Sequence, residues 1–278
     1  MPIDPQKLLD WPFAAVLRHY DSSETIRVAK GFGAGIPGEL VTHDAAFIAG
    51  QQAYPMMALH LADGAFWQSD PESGIDWRRI VHAEETLHLH GELRPQGTVV
   101  VTQRVDGLYD RGPERGAVMV QKQYLHSENG ELIATIDTTT FLRGDGGYGG
   151  PAYMPDAKIS IPDDRPPDAV VTLRTPADND DAIYRLSPDL AVAAHLTPGQ
   201  SMMRGIGCFG LAGRAVMAMV CPHMTAKLKR LSVRYTGAML SDEVMRLDLW
   251  KVAKDRAVFR LTAVERDVVV LDYAHCVF

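Results

Sequence analysis

Hydrophobic and polar positions alternate along this chain in two separate blocks. In the first, Arg79–Gly91, Thr98–Tyr109, Gly116–His126 and Glu131–Leu142 are β-rich runs with partial period-two alternation, divided by Gly, Pro, Asn or Asp. They predict four long antiparallel strands. Lys229–Ala238, Glu243–Val252, Ala257–Val264 and Val268–Val277 repeat the rhythm in the second block. The stretch AVMVQKQYLHSENGELIATIDTTTF, from Ala117, can be laid over AVFRLTAVERDVVVLDYAHCVF, from Ala257, with a shorter hairpin. Such self-similarity predicts duplication of one α+β unit, in which a curved sheet covers a helix or its own twin.

The helical signals are fewer. Gly205–Val220, GIGCFGLAGRAVMAMV, is small and apolar almost all round, with Arg214 as its single charge, so it predicts a helix buried on most sides. Asp189–Ala194 is a short helical candidate, followed by a TPGQ loop at Thr197–Gln200. In the first block, Ser22–Gly33 predicts a helix with Ser22 or Ser23 as N-cap, Glu24 in its first turn and a glycine stop. Tyr54–Leu61 reads as a much shortened counterpart of the buried helix, leaving room in that half for another group. The Gly- and Pro-dense run Arg143–Asp168 has no helical periodicity and marks a linker. Units at 1–145 and 169–278, joined by 146–168, are the expected organisation.

Composition narrows the class. The chain has 278 residues, 46% hydrophobic and 23% charged, close to average globular usage, and no apolar run long enough to span a bilayer. Its start, MPIDPQKLLDWPF, is acidic and broken by prolines, unlike an export signal. A net charge of -7 argues against a nucleic-acid partner, and Lys227, Lys229, Arg230 and Arg234 form too local a basic cluster to change that. Cys208, Cys221 and Cys276 are an odd number in apolar surroundings, as expected of reduced core thiols. A cytoplasmic small-molecule enzyme or binding protein, with no membrane partner, is the expectation.

The segment Asp76–Gly150, which begins DWRRIVHAEETLHLHGEL, resembles the first half of the type 2, or MaoC-like, enoyl-CoA hydratases. YRLS at Tyr184–Ser187, RGIGCFGLAGRAV at Arg204–Val216 and the C-terminal strands resemble that family's second half, in order. The resemblance covers nearly the whole chain. It implies an α+β double hotdog fold, interconversion of 2-enoyl-CoA and 3-hydroxyacyl-CoA, and no metal or cofactor beyond the coenzyme A thioester itself. It also implies an acyl pocket in the first half, chemistry in the second, and a homodimer. Adding water to an enoyl thioester needs a base for the water proton, a proton for the α-carbon and stabilisation of the enolate-like oxygen. A backbone N–H at a buried helix N-terminus can supply the last of these, and Gly205 occupies the matching position.

This chain departs from the family where the catalytic pair belongs. The usual Asp-x-Asn-Pro-x-His after YRLS is replaced by PDLAVAAHLTPGQSMMRGIG, several residues short. One alignment sets Pro188–Leu196 over the short helix that follows the motif and leaves the pair deleted. Another places Asp189 on the Asp and, with one inserted residue, His195 on the His. Asp189 and His195 are six apart, about 240° round a helix, so only a loop would bring them onto one wall. Arg204 stands where a His usually precedes the helix glycine, and could meet a ligand carboxylate or phosphate, pair with a local Asp, or reach solvent. The resemblance places His82, followed by Glu84 and Glu85, near the acyl pocket, with Tyr54, Met56 and Met57 as lining. The GDGGYGG run offers Gly146, Gly147, Tyr148 and Gly149, with Arg143, to a CoA diphosphate, or is a flexible exit from the last strand. Three readings follow: a hydratase or dehydratase with an atypical site, a catalytically silent acyl-CoA-binding relative, or another reaction on a related ligand.

Overall fold

The structure is a computed structural model, and it describes residues 3–155, 159–162, 164–177, 183–186, 200–222 and 224–278. Five helices are described: α1 (Pro5–Leu9), α2 (Ser22–Gly31), α3 (Val41–Ile48), α4 (Met57–Ala62) and α5 (Gly205–Val220). The strands are β1 (Val16–Tyr20), β2 (Ile80–Leu89), β3 (Gly97–Asp110), β4 (Ala117–Ser127), β5 (Leu132–Leu142), β6 (Ala169–Arg174), β7 (Arg230–Tyr235), β8 (Val244–Ala253), β9 (Arg256–Ala263) and β10 (Val268–Val277).

All ten strands form one sheet in the order β1-β3-β4-β5-β2-β7-β10-β9-β8-β6. The second five mirror the first: β6, β7, β8, β9 and β10 stand where β1, β2, β3, β4 and β5 stand. The duplication legible in the β4–β5 and β9–β10 sequences is therefore also a duplication of topology. The halves meet where β2 pairs antiparallel with β7, Thr86 opposite Ser232, and the two hydroxyls share a hydrogen bond of 2.7 Å.

The sheet's inner face is apolar and the helices fill it. α5 lies over β6, β7 and β8, with Gly207–Met217 buried throughout, while the six-residue α4 lies over β3 and β4 with α2 beside it. Close approach depends on missing side chains: a Cβ on Gly210 would stand 1.9 Å from the Phe32 ring. The outer face carries charged side chains instead, including Glu84 with Arg234 and Asp137 with both His88 and Lys122.

The α5 helix crosses the boundary between halves with its one charge. Arg214 Nε and Nη2 each donate to Asp44 of α3 at 2.8 Å, and the Asp44 carboxylate also accepts from the Tyr54 hydroxyl and the Gly35 N–H, both at 2.9 Å. Arg214 is 3% exposed and Asp44 0%, so the pair is satisfied by geometry rather than by water.

One expectation needs correction. The N-cap of α2 is Asp21, in extended conformation with its carboxylate accepting from the Glu24 N–H; Ser22 already lies in the helix. The short edge strands β1 and β6 and helix α3 carry no separate signal in the hydrophobic pattern. The expected helix at Asp189–Ala194 lies outside the described residues. Cys208, Cys221 and Cys276 are buried and free.

Candidate active site

A break in the regularity of β2 builds the site. His82 is opposite Thr140 and Glu84 opposite Thr139, so Ala83 is an extra residue, a β-bulge. The bulge shifts the phase of the strand: His82 and Glu85, three apart, share the inner side, whereas Glu84 turns out to Arg234. Glu85 is 4% exposed. Its Oε1 accepts from the Thr138 hydroxyl of β5 at 2.7 Å, and its Oε2 lies 2.6 Å from His82 Nε2, an ion-pair distance not aligned as a hydrogen bond.

The other half supplies the facing wall. α5 begins at Gly205 after Arg204, whose backbone is extended and whose side chain makes no capping bond. Gly207 and Cys208 donate back to the Arg204 carbonyl, and the Gly205 N–H lies at the positive end of the helix dipole. The Tyr235 hydroxyl of β7 donates to the Gly205 carbonyl at 3.0 Å, and its ring lies 4.6 Å from that of His82. A Cβ on Gly205 would stand 2.8 Å from His82 Nδ1, so the imidazole edge faces the first residue of the helix. Burial, with the Glu85 charge adding to it, pushes the Tyr235 phenol far above its ordinary range, so it stays a donor.

Arg204 is turned to a local partner, its Nη2 2.8 Å from Asp63 Oδ1. Beneath it Tyr184 is 1% exposed, and its hydroxyl has no partner among the described residues. The Leu186 N–H donates to the Met202 carbonyl and the Arg204 N–H to that of Tyr184, so both flanks of segment 187–199 meet beside the start of α5. Asp189 and His195 belong to that segment and lie outside the described residues.

The other expected positions are placed apart. Met56 and Met57 are fully buried, Met56 against Gly213 of α5 and Met57 Sδ 3.4 Å from the Thr25 hydroxyl. Tyr54, 3% exposed, is committed to Asp44. In the glycine run, the Gly147 and Gly149 N–H groups donate to the Asp110 carboxylate at 2.8 and 2.7 Å, and this holds the Asp110 carboxyl below its ordinary range. Those amides are thus taken by a side chain of the same chain rather than left open to a diphosphate. Gly146 packs on the backbone of Gly112 and Gly116, and burial raises the Tyr148 phenol to about 12; Arg143 is exposed. A cavity of about 250 Å³ lies farther along α5, between Ile36, Leu40, Leu173 and Arg214. Glu85, Thr138 and Tyr235 were not singled out as site residues by sequence reasoning; the mismatch between strict alternation and the HAEE run is the signal that could have found the bulge.

A ten-stranded double hotdog with a composite site at its central seam is the class these features define. Residues 45–136 match the family described as FAS1-like, dehydratase domain region. The chain is 29% identical over 274 residues to a peroxisomal multifunctional enzyme type 2 of Drosophila melanogaster, covering 92% of this chain and 45% of that protein. It is 28% identical over 270 residues to 3-hydroxyacyl-thioester dehydratase Y of Mycobacterium tuberculosis, covering 94% of this chain and 91% of that one. The crystal structure of a MaoC-like dehydratase from Phytophthora capsici superposes with a TM-score of 0.80 at 23% identity, covering 98% of each chain. The fold is that of the MaoC-like double hotdog proteins, and the sequence is similar to named hydratases and dehydratases over most of its length. It spans less than half the length of the Drosophila relative. Among the described residues no helix is long and apolar enough to cross a membrane.

Proposed function

We propose that this protein is a hydro-lyase that interconverts 2-enoyl and 3-hydroxyacyl thioesters, the acyl group being carried on coenzyme A. The observation that carries the reading is the meeting, at one point of the seam, of a helix start without a side-chain cap and a half-exposed imidazole backed by a buried carboxylate. Water addition puts negative charge on the thioester oxygen, and the Gly205 N–H, at the positive end of α5, would receive it. The names borne by the Drosophila and mycobacterial relatives support the same chemistry. No cofactor takes part in this reaction as proposed. Three buried thiols suit a reducing compartment, which supports a cytoplasmic site of action. A homodimer is the proposed assembly, supported by the exposed Val16 and Leu17 on edge strand β1, and sedimentation would read it.

The test follows loss of enone absorbance when the protein meets crotonyl-CoA or a longer enoyl-CoA. Turnover of either compound establishes the reading and removes the silent alternative. The departure from Asp-x-Asn-Pro-x-His favours that alternative; absence of turnover together with thermal stabilisation by CoA esters would select it. Asp189→Asn and His195→Ala, if each leaves the rate within about threefold of wild type, remove both side chains from the mechanism, since acid–base groups ordinarily contribute far more.

A further inference from the structure

We propose that His82 is the proton-transfer residue of this site and that Glu85 is the residue that positions it; the assignment rests on the hydro-lyase reading above. The family places its acid–base pair in the second half. Here the imidazole and the carboxylate described beside the start of α5 come from the first half, across the β2–β7 seam.

The geometry fits that division of labour. His82 is half-exposed, its side chain 36% accessible, while Glu85 beneath it is 5% accessible. A carboxylate is costly to bury unless partners replace water, and the partners of Glu85 are the Thr138 hydroxyl and the imidazole. Nε2 faces the carboxylate and Nδ1 faces Gly205. One nitrogen thereby lies against the carboxylate and the other is presented to whatever occupies the space before the helix, the disposition of a catalytic imidazole backed by an orienting carboxylate. The bulge at Ala83 brings this about: in regular β2 pairing His82 would share a face with Glu84 and point away from the helix. Among the described residues the other ionisable neighbours are occupied, Tyr235 as donor to the Gly205 carbonyl and Arg204 with Asp63, and burial raises the Cys208 thiol to about 12.

In the hydration direction, Nδ1 takes one proton from water as its oxygen bonds to C3 of the enoyl group. The C2–C3 π electrons move toward the thioester carbonyl, whose oxygen takes up negative charge against the Gly205 N–H. The imidazolium then returns that proton to C2, and the carbonyl re-forms. Water is consumed, the imidazole ends neutral, and one group serving both steps delivers oxygen and hydrogen to the same face. Dehydration is the reverse.

The experiment uses the full chain and crotonyl-CoA. His82→Gln should lower kcat by about 100-fold or more while KM stays within about threefold, because the loss falls on proton transfer rather than binding. Glu85→Gln should lower kcat less, by about tenfold, with KM again within about threefold, since it removes the carboxylate that backs the imidazole but leaves the proton-transfer group itself; Glu85→Asp should restore part of the loss. Retention of kcat within about threefold in a folded His82→Gln, with the wild type active, overturns the assignment. Should His82→Gln fail to fold, an unchanged kcat in folded Glu85→Gln, or a loss in Glu85→Gln that Glu85→Asp does not reduce, overturns it equally. A wild type inactive on enoyl thioesters brings down the hydro-lyase reading together with this one, which distinguishes that failure from loss of the His82 assignment alone.

Discussion

Gly205 shows how little room the site leaves. A methyl group there would stand 2.8 Å from His82 Nδ1 and 3.2 Å from the Tyr235 ring, and of the two neighbours the imidazole is the freer to swing away. Gly205→Ala is therefore expected to reduce turnover by about tenfold to 100-fold, a cost set by misplaced geometry. Its effect on unfolding free energy should be small, because alanine in a helix offsets up to about 1 kcal/mol of glycine's backbone entropy. Steady-state kinetics and a denaturant titration on the same variant separate the two effects. At this scale the sequence was partly readable. A glycine opening an apolar helix stands out in a linear pattern, and so does His82. Glu85 does not, because an unbroken strand would place it opposite His82 rather than beside it, and only the bulge at Ala83 changes that. Tyr54 presents the opposite case. Its neighbours along the chain are apolar, yet its hydroxyl is tied to Asp44, ten residues away in sequence, and through Asp44 to a distant arginine.

Among the elements, α5 is the one most fully legible and the one most dependent on its surroundings. Its boundaries follow from the apolar run Gly205–Val220, as the eight long strands follow from alternation and turn residues. The edge strands β1 and β6 escaped because each is short and paired on one side, so neither needs a marked pattern. What fixes α5 against the first half is the buried Asp44–Arg214 pair. Arg214→Met removes one partner and leaves the Asp44 carboxylate at 0% exposure with only the Tyr54 hydroxyl and the Gly35 N–H. That change should cost about 3–5 kcal/mol of stability. Replacing both members, Asp44→Leu with Arg214→Met, should recover much of the loss, because no buried charge then lacks a partner. Chemical denaturation of the two single variants and the double variant completes the cycle.

The whole molecule is built on one continuous sheet, and its stability should respond to pH through a residue that the proposed reaction does not use. His275 on β10 is held down to about 4 by burial first and by the Arg230 guanidinium second, against about 6.5 for a free imidazole. Between those values the unfolded chain binds a proton that the folded chain refuses, so stability rises with pH across the window. It is fully present above about pH 6.5, falls as the solution is acidified, and levels off for this group below pH 4. With partial exposure discounting the shift, the contribution should be on the order of 1–2 kcal/mol. His275→Gln should flatten the slope of Tm against pH between pH 7 and about 4.5, which differential scanning calorimetry would read.

The mirrored strand order has a further meaning. Two identical units paired through the strands that became β2 and β7 would generate two equivalent catalytic places, each built by both partners. In the covalent version α4 occupies the counterpart of the α5 position, as the last α-helix before β2, and it opens on Met56 and Met57, both sealed in the core. One of the two places has been traded for packing. Mutations that would strike both places of a symmetric dimer at once here strike only one, so each copy of the ancestral unit is free to diverge toward a separate duty. The first copy lends a histidine and a glutamate across the seam, and the second lends the helix they face.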